Sequence, residues 1–283
     1  MWKNGLKEVT GLKIKDCLVI VRGGGDLATG TIYSLFSCGF KVLVLEMNQP
    51  TTIRRLAAFS QVMYENEIQV EDVRARRADT LEEIRACWDE GILPVAEDPK
   101  GNWIHQLHPQ VVVDGIIAKK NLGTDRSMAP LVIGLGPGFC AGDDVDVVIE
   151  TMRGHSLGRI ISKGRAKPNT GIPGVIAGFS RERVIHAPAA GIMKEAAAIG
   201  DIVRKGDVIA WIGDVPVYAT IDGVLRGLLH EGLTVPEGFK IADIDPRIKE
   251  QGNCVAISDK ARTIAGGVLQ AVLMYGNREG WEM

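Results

Sequence analysis

Cysteines and long apolar runs are scarce in this sequence, and both shortages exclude classes of protein. Five cysteines are scattered among 283 residues, never as Cys-x-x-Cys, which argues against a disulfide framework and a zinc ribbon. No apolar run approaches the roughly 20 residues that span a bilayer. Residues 1–5 open no apolar targeting segment. We therefore expect a cytoplasmic protein without a membrane partner.

The sequence also lacks a large excess of charge of either sign. The net charge is −2 and the isoelectric point is near 6.2, so no broad basic field is available to attract nucleic acid. The composition is that of an ordinary globular protein, with 46% hydrophobic and 24% charged residues. A chain of this length suits two domains. The composition is compatible with a small-molecule ligand and with a homo-oligomer.

Apolar strands alternate with helical segments in the first half of the chain. Strands at 17–22 and 41–46 flank a helix at 27–38, and a helix at 80–90 precedes strands at 92–96, 111–114 and 131–134. This order predicts a Rossmann-like domain with a mostly parallel sheet. A hairpin over 145–161 and a turn-rich connection at 167–178 complete the domain, which we place at 13–178.

An internal repeat with an offset of 32 residues follows. Eight of 26 aligned positions, 187–212 against 219–244, are identical, which indicates two β units that pack as a small closed sandwich at 179–252. Ser258 or Asp259 can cap a final helix that ends at Gly276. We expect this segment, 253–276, to pack on the first domain.

The first strand ends in a glycine loop that resembles a dinucleotide-binding fingerprint, and the chain has an acid, Glu46, at the end of the next strand. Such glycines let the backbone approach a pyrophosphate at a helix N-terminus, and the acid can hold a ribose diol. Asp26 would repel a bare phosphate unless it caps the helix or faces away. The alternative is a turn that serves only helix–strand packing. The predicted cofactor-binding residues of this loop are Gly23, Gly24, Gly25, Asp26, Leu27 and Ala28.

Two adjacent arginines follow Glu46 closely. Arg54 and Arg55 could clamp a phosphate of NADP or of a pterin. A solvated helix face with ion pairs is the alternative.

A second glycine loop follows the strand at 131–134. Gly134, Gly136 and Gly138 could share one ligand crevice with the first loop, at the point where the order of the strands reverses. A rigid turn around Pro137 is the alternative. Cys140 lies just after the loop and would be activated if a helix began there.

Residues for catalysis and for metal binding are not apparent in the sequence. The five histidines show no metal-ligand spacing, and no nucleophile signature occurs. We expect no metal site, leave the catalytic residues unassigned, and leave open whether the protein is an enzyme.

The longer segments of interest are GGGDLATG, NQPTTIRRLAAFS, GLGPGFCAGDDVD, ETMRGHSLGRII, PNTGIPG, ADIDPR and SDKARTIAGGVLQA. Together they resemble the YqeB family, which is associated with selenium-dependent molybdenum hydroxylase systems. The first half also resembles XdhC-type proteins, which handle molybdenum cofactor. The resemblance implies a cofactor-handling role and suggests the hypothesis that Cys254 carries a persulfide or selenide.

The repeat resembles a biotinyl/lipoyl barrel, with Ala-Pro-x-x-Gly at 187–191. The hairpin stretch at 213–217 has no lysine, so the resemblance implies the fold without the carrier chemistry. The expected fold class is therefore α/β, with a Rossmann-like domain, a biotinyl/lipoyl-like β domain and a C-terminal helix.

Three functional hypotheses follow. The first is an accessory or maturation factor for a molybdenum hydroxylase, which binds a nucleotide or a molybdopterin-type cofactor through its glycine loops. The second is an NAD(P)-dependent oxidoreductase, which rests on the first loop and Glu46. The third is a non-catalytic scaffold that docks a partner through the β domain.

Overall fold

A nine-stranded sheet forms the first part of the computed structural model, which describes residues 11–282. Residues 1–5, on which the targeting prediction depends, lie outside this range. The strands of the large sheet are β1 (Leu18–Arg22), β2 (Lys41–Glu46), β3 (Glu67–Val70), β4 (Val73–Arg77), β5 (Leu93–Glu97), β6 (Val111–Asp114), β7 (Leu131–Leu135), β8 (Val147–Ile149) and β9 (Ile160–Ile161).

The spatial order of these strands is β3-β4-β5-β2-β1-β6-β7-β8-β9. From β1 the chain passes to β2, then to the edge strand β3, and returns inward through β4 and β5. It then crosses to β6 on the other side of β1, so the order reverses between β1 and β6. Strands β6 and β7 are buried at every residue, as near-continuous apolar strands covered on both faces should be. The helices of this part are α1 (Asp26–Ser37), α2 (Val62–Glu65), α3 (Leu81–Asp89) and α4 (Asn102–Leu107).

The prediction of a Rossmann-like domain is wrong, because the sheet is mixed and ends in antiparallel pairs on both sides. Strands β3 and β4 pair antiparallel through a connection of only two residues, Glu71 and Asp72. A connection this short can join only antiparallel strands, since a parallel pair requires a long crossover. At the other edge, β8 and β9 are also antiparallel.

Two four-stranded antiparallel sheets form the second part, with orders β10-β17-β15-β12 and β14-β13-β11-β16. The 32-residue offset relates β11 to β15, β12 to β16 and β13 to β17, and each sheet contains strands from both repeats. The strands are β10 (Val184–His186), β11 (Gly191–Glu195), β12 (Ile202–Val203), β13 (Val208–Ile212), β14 (Val215–Tyr218), β15 (Gly223–Leu228), β16 (Thr234–Val235) and β17 (Lys240–Asp245).

The predicted biotinyl/lipoyl-like barrel is wrong as well. The two sheets share one apolar core that includes Met193, Ile209 and Ile244, but no strand pairing joins them anywhere in residues 11–282. The end strands β12 and β16 are only two residues long, too short to continue the hydrogen-bond ladder around a closed barrel. The result is a pair of open sheets packed face to face.

The final helix, α5 (Asp259–Arg278), packs on α1. Ser258 is its N-cap, and the Ser258 hydroxyl accepts a hydrogen bond from the Ala261 amide. The two helices approach so closely that a Cβ on Gly30 would lie 2.6 Å from the Ala261 carbonyl oxygen. Within the described chain, none of the helices is long and apolar enough to cross a membrane.

Candidate ligand-binding cleft

A cleft of about 770 Å³ lies where the large sheet, the paired β sheets and α5 meet. The N-terminal turns of α1 and α5 form one side, through Asp26, Leu27 and residues 258–260. Residues 173–176 and strands β15 and β17 form the other side. This volume is within the range of sites that hold cofactor-sized ligands.

The cleft is lined by more cations than carboxylates. Its seven cationic residues are Arg54, Arg153, Arg183, Arg226, Lys240, Arg247 and Lys260. Its five acids are Asp26, Asp243, Asp245, Glu250 and Asp259. An excess of two positive charges in a partly enclosed site favours an anionic ligand.

The first glycine loop lies behind this cleft and is largely engaged with its own protein. The Ser60 amide donates to the Gly24 carbonyl at 2.8 Å, and the Thr29 hydroxyl donates to the carbonyls of Gly24 and Gly25 at 3.1 and 3.0 Å. Of the loop residues, Asp26 and Leu27 reach the cleft. The first amides of α1 have no intrahelical acceptor, so this helix end can still receive an anion.

Glu46 occupies the position predicted for a ribose-binding acid, but its carboxylate bonds the backbone. Its two oxygens accept from the Gly24 and Met47 amides at 2.7 and 2.8 Å. Burial raises the pKa of the Glu46 carboxyl above its usual value, and the two amides oppose that rise. Glu46 therefore holds the loop in place in this structure.

Arg54 joins the first loop to the C-terminal segment. Its guanidinium donates to Asp26 at 3.3 Å and to the carbonyls of Asn253 and Ala256 at 3.2 and 2.9 Å. The pairing offsets the negative charge of Asp26 that would otherwise repel a phosphate. The side chain is only 5% exposed, and burial and then Arg226 lower the Arg54 pKa. Its Nε is buried and makes no hydrogen bond within residues 11–282.

Arg55 points away from the cleft and fixes the paired sheets against the large sheet. It forms an ion pair with Glu195 at 2.8 Å and donates to the Leu228 carbonyl at 3.2 Å. The rings of Tyr64 and His230 stack beside this junction, with centroids 3.8 Å apart. The two arginines therefore do not form the joint phosphate clamp suggested by their adjacency.

The α5 N-terminus brings a lysine into the cleft. Asp259 forms a bidentate ion pair with Arg153 at 2.7 and 3.1 Å, which holds the Asp259 pKa at about 2. The neighbouring Lys260 is half-buried. Burial, and then Arg153, lower the Lys260 pKa. A ligand anion here would compensate a charge that the protein itself leaves poorly solvated.

The second glycine loop lies at the same sheet edge, but β6 separates β7 from β1. A Cβ on Gly134 would lie 2.5 Å from the Phe139 ring, and one on Gly136 would lie 2.4 Å from the Thr151 hydroxyl. A Cβ on Gly138 would lie 2.8 Å from the Lys120 amide. None of these three glycines lines the cleft. The loop is packed by side chains and backbone instead.

The two cysteines of interest are not activated. No helix begins at Cys140, and a hydrogen bond to Asp143 raises the pKa of its thiol. Cys254 is 3% exposed, and burial raises its pKa, against the opposing effects of Arg54 and Arg226. Neither thiol has the electropositive, accessible setting of a reactive cysteine. In the described part of the chain, no group of three or more His, Cys, Asp or Glu side chains is arranged to hold a metal.

Sequence reasoning identified only part of this cleft. Asp26, Leu27 and Arg54 line it, whereas the Lys260 and β17 contributions were missed. A signal was present, because ADIDPR and SDKAR contain Asp243, Asp245, Arg247 and Lys260. Those residues adjoin α1 only through the tertiary fold.

Fold and site together define an α/β protein with a cation-rich cleft between a mixed sheet and two antiparallel sheets. No family model matches the chain. It is 51% identical over 257 residues to the uncharacterized protein YqeB of Escherichia coli (strain K12). The match covers 91% of this chain and 47% of YqeB, so the chain spans about half the length of that relative. The chain is a homologue of YqeB, and its resemblance to the YqeB family is confirmed over the matched residues.

Solved structures resemble the chain only weakly. TcdA (CsdL) has a TM-score of 0.29 at 14% identity, with 91% of this chain and 89% of that one covered. A succinylglutamate desuccinylase/aspartoacylase from Rhodobacter sphaeroides has a TM-score of 0.27 at 12% identity, with 83% and 86% covered. An aspartoacylase family protein from Mesorhizobium loti has a TM-score of 0.26 at 9% identity, with 81% and 84% covered. These scores are too low to support any argument about function.

Proposed function

We propose that this protein is an accessory or maturation factor for a molybdenum hydroxylase, in a system that is selenium-dependent, and that it binds a nucleotide or molybdopterin-type cofactor in the cleft. The observation that carries the binding proposal is the cleft itself, which combines about 770 Å³ with two more cations than carboxylates. The assignment to molybdenum hydroxylase systems rests on the resemblance to the YqeB family and on the more distant one to XdhC-type proteins.

The cleft residues suit a cofactor that has an anionic end and an apolar ring. The α1 amides and Lys260 are donors for the anionic end, since helix N-termini and cationic side chains together favour phosphate. Pro173, Val175 and Ile176 offer apolar surface. Within residues 11–282, the cleft fits such a cofactor in size and in charge.

The structure offers less support for an NAD(P)-dependent oxidoreductase. That alternative needs a free acid at the end of β2, and both Glu46 oxygens already accept backbone amides. Ribose binding would have to displace these bonds, each of which contributes about 1.5–3 kcal/mol as a bond to a charged group. The scaffold alternative, with docking through the paired sheets, has no specific contact in its favour.

The direct test is to purify the native protein under anaerobic conditions and identify the small molecules it releases by mass spectrometry. We expect a pterin cofactor, or a nucleotide that carries no nicotinamide, in stoichiometric amount. A nicotinamide dinucleotide would transfer the support to the oxidoreductase. Tight association with a hydroxylase while no small molecule is bound would support the scaffold instead.

A further inference from the structure

The cations of the cleft fall into two groups that differ in their partners. Each arginine forms an ion pair with an acid of the cleft. The pairs are Arg54–Asp26 at 3.3 Å, Arg153–Asp259 at 2.7 Å, Arg183–Asp243 at 3.2 Å, Arg226–Asp243 at 3.3 Å and Arg247–Asp245 at 2.8 Å, with Arg247–Glu250 at 4.0 Å.

The two lysines are different. Within residues 11–282, neither Lys240 nor Lys260 forms an ion pair or a side-chain hydrogen bond. The five arginines and five acids balance each other, so the excess charge of the cleft resides on these two ammonium groups. A complementary ligand therefore carries about two negative charges.

We infer that the ligand of the cleft bears a phosphate monoester, whose dianion is bound by Lys260 with support from Lys240, while its apolar ring lies against residues 173–176. This inference rests on the proposed function and narrows it to a chemical class. A phosphate monoester carries −1.5 to −2 charges near neutral pH, with a second pKa of about 6. An internal phosphodiester carries one charge per phosphate and lacks this second ionisation.

Lys260 is placed to contribute more than Lys240. Its side chain is half-buried at the first turn of α5, where Arg153 and the carboxylates of Asp26, Glu150 and Asp259 act on it. Lys240 is exposed at the start of β17. A charged hydrogen bond is stronger where water is largely excluded. The apolar end has its own surface, since Val175 lines the cleft while 71% of its side chain remains exposed.

The test compares two nucleotides that share a base and a sugar. Guanosine monophosphate is a dianionic monoester, and cyclic guanosine monophosphate is a monoanionic diester. Calorimetric titration of the full chain should show at least about 10-fold tighter binding of the monoester, in line with the loss of one charged hydrogen bond. Its affinity should rise as pH increases through about 6, where the second ionisation occurs.

Lys260→Met should abolish the preference, with a loss of at least about 10-fold for the monoester and little change for the diester. Lys260→Arg should retain the preference, which separates lost charge from disturbed folding. Lys240→Met should cost a few-fold, and Lys100→Met, in the exposed turn after β5, should change nothing. Circular dichroism checks that each variant is folded.

Equal affinity for the two nucleotides would overturn the inference. So would a Lys260→Met variant that keeps the preference, or a wild type that binds neither nucleotide at millimolar concentration. Mass spectrometry of the released cofactor separates this inference from the proposed function. A bound pterin dinucleotide, whose phosphates are internal and form no terminal monoester, would support the accessory role and contradict the monoester inference.

Discussion

Two glycine loops end parallel strands at the same edge of the large sheet, yet their surroundings differ. The loop after β1 opens a 12-residue helix whose first turn reaches a charged cleft. The loop after β7 opens no helix, and its glycines make room for Phe139, Thr151 and the backbone at Lys120. The same residue pattern therefore serves a helix N-terminus in one place and close packing in the other.

The difference has a physical origin. A helix N-terminus leaves amides without partners, and those amides are the donors that an anion uses. A loop that lacks the helix has no comparable set of aligned donors. What distinguishes a ligand loop from a packing loop is the element that follows it, together with the side chains that reach it from elsewhere.

The largest expected effect is on stability at the second loop. Gly138→Ala places a Cβ 2.8 Å from the Lys120 amide at a φ of +120°, so steric overlap and backbone strain should together lower the free energy of unfolding by about 3 kcal/mol. Urea denaturation measures this loss. Nucleotide affinity should not change, because Gly138 does not line the cleft.

Gly142→Ala is the matched control. Its φ is +96°, but no atom lies within 4 Å of the added Cβ. It should therefore show the backbone strain alone, about 1–2 kcal/mol. If the two variants lose the same free energy of unfolding, the packing role of the second loop is contradicted.

Arg54→Met should affect both stability and binding. It removes the bonds to Asp26, Asn253 and Ala256, which should cost about 2 kcal/mol of stability and weaken guanosine monophosphate binding about 10-fold. Denaturation and calorimetry measure the two effects.

Arg55→Met controls for the general loss of a guanidinium. Its bonds to Glu195 and Leu228 lie outside the cleft, so stability should fall and affinity should not. A parallel loss of affinity in both variants would mean that binding depends only on how the two parts of the molecule are joined.

Glu46→Gln tests the internal role of the acid beside the first loop. Burial raises the Glu46 pKa in the folded state, so protonation of this carboxyl is more favourable in the folded protein than in the unfolded chain. The stability that wild type gains from this group is complete below the unfolded pKa and is lost as pH rises through the raised folded pKa. The stability of wild type relative to Glu46→Gln should thus fall with rising pH.

Denaturation from about pH 4 to 8 spans the usual carboxyl range and the raised one. A relative stability that rises with pH would show that the two amide bonds outweigh burial. If Glu46→Gln binds the nucleotide as tightly as wild type does, the role of Glu46 is to hold the glycine loop through its amides. It would then not bind the ribose of a ligand.

The smallest expected effect concerns the thiol after the second loop. Because the hydrogen bond to Asp143 raises the Cys140 pKa, little thiolate is present at neutral pH. Iodoacetamide should label the exposed Cys38 several-fold faster than Cys140, as measured by peptide mass spectrometry. Asp143→Asn should accelerate labelling of Cys140. Faster labelling of Cys140 than of Cys38 in the wild type would indicate a reactive site that the structure does not account for.

Local elements were predictable from the sequence where local chemistry decides them. Strand β2 has the predicted bounds, and the helix predicted at 80–90 is α3, which begins with a capping box between Thr80 and Glu83. The capping of α5 by Ser258 is also as predicted. In both helices the capping side chain and the backbone amide that it bonds lie within four residues of each other.

Longer-range features were not predictable in the same way. The β3–β4 hairpin was missed, because charged residues such as Glu67 and Arg74 interrupt the apolar pattern that marks a strand. The two β units show a clear repeat in sequence, but whether two sheets close into a barrel depends on strand lengths that the repeat does not reveal. The cleft was found only at Asp26, Leu27 and Arg54, since Lys260 meets them through packing across more than 200 residues of sequence.

The contact of Arg54 with Asn253 and Ala256 also has a consequence for synthesis. All nine strands of the large sheet have been synthesised once β9 is made, but the core still lacks the side chains of α5 and the cleft still lacks its lining residues from 173 to 260. A nascent chain of 250 residues would therefore present β1 and α1 without a competent pocket. Ligand capture has to follow the emergence of α5, so the occupied pocket reports that this stretch of the chain has been made in full.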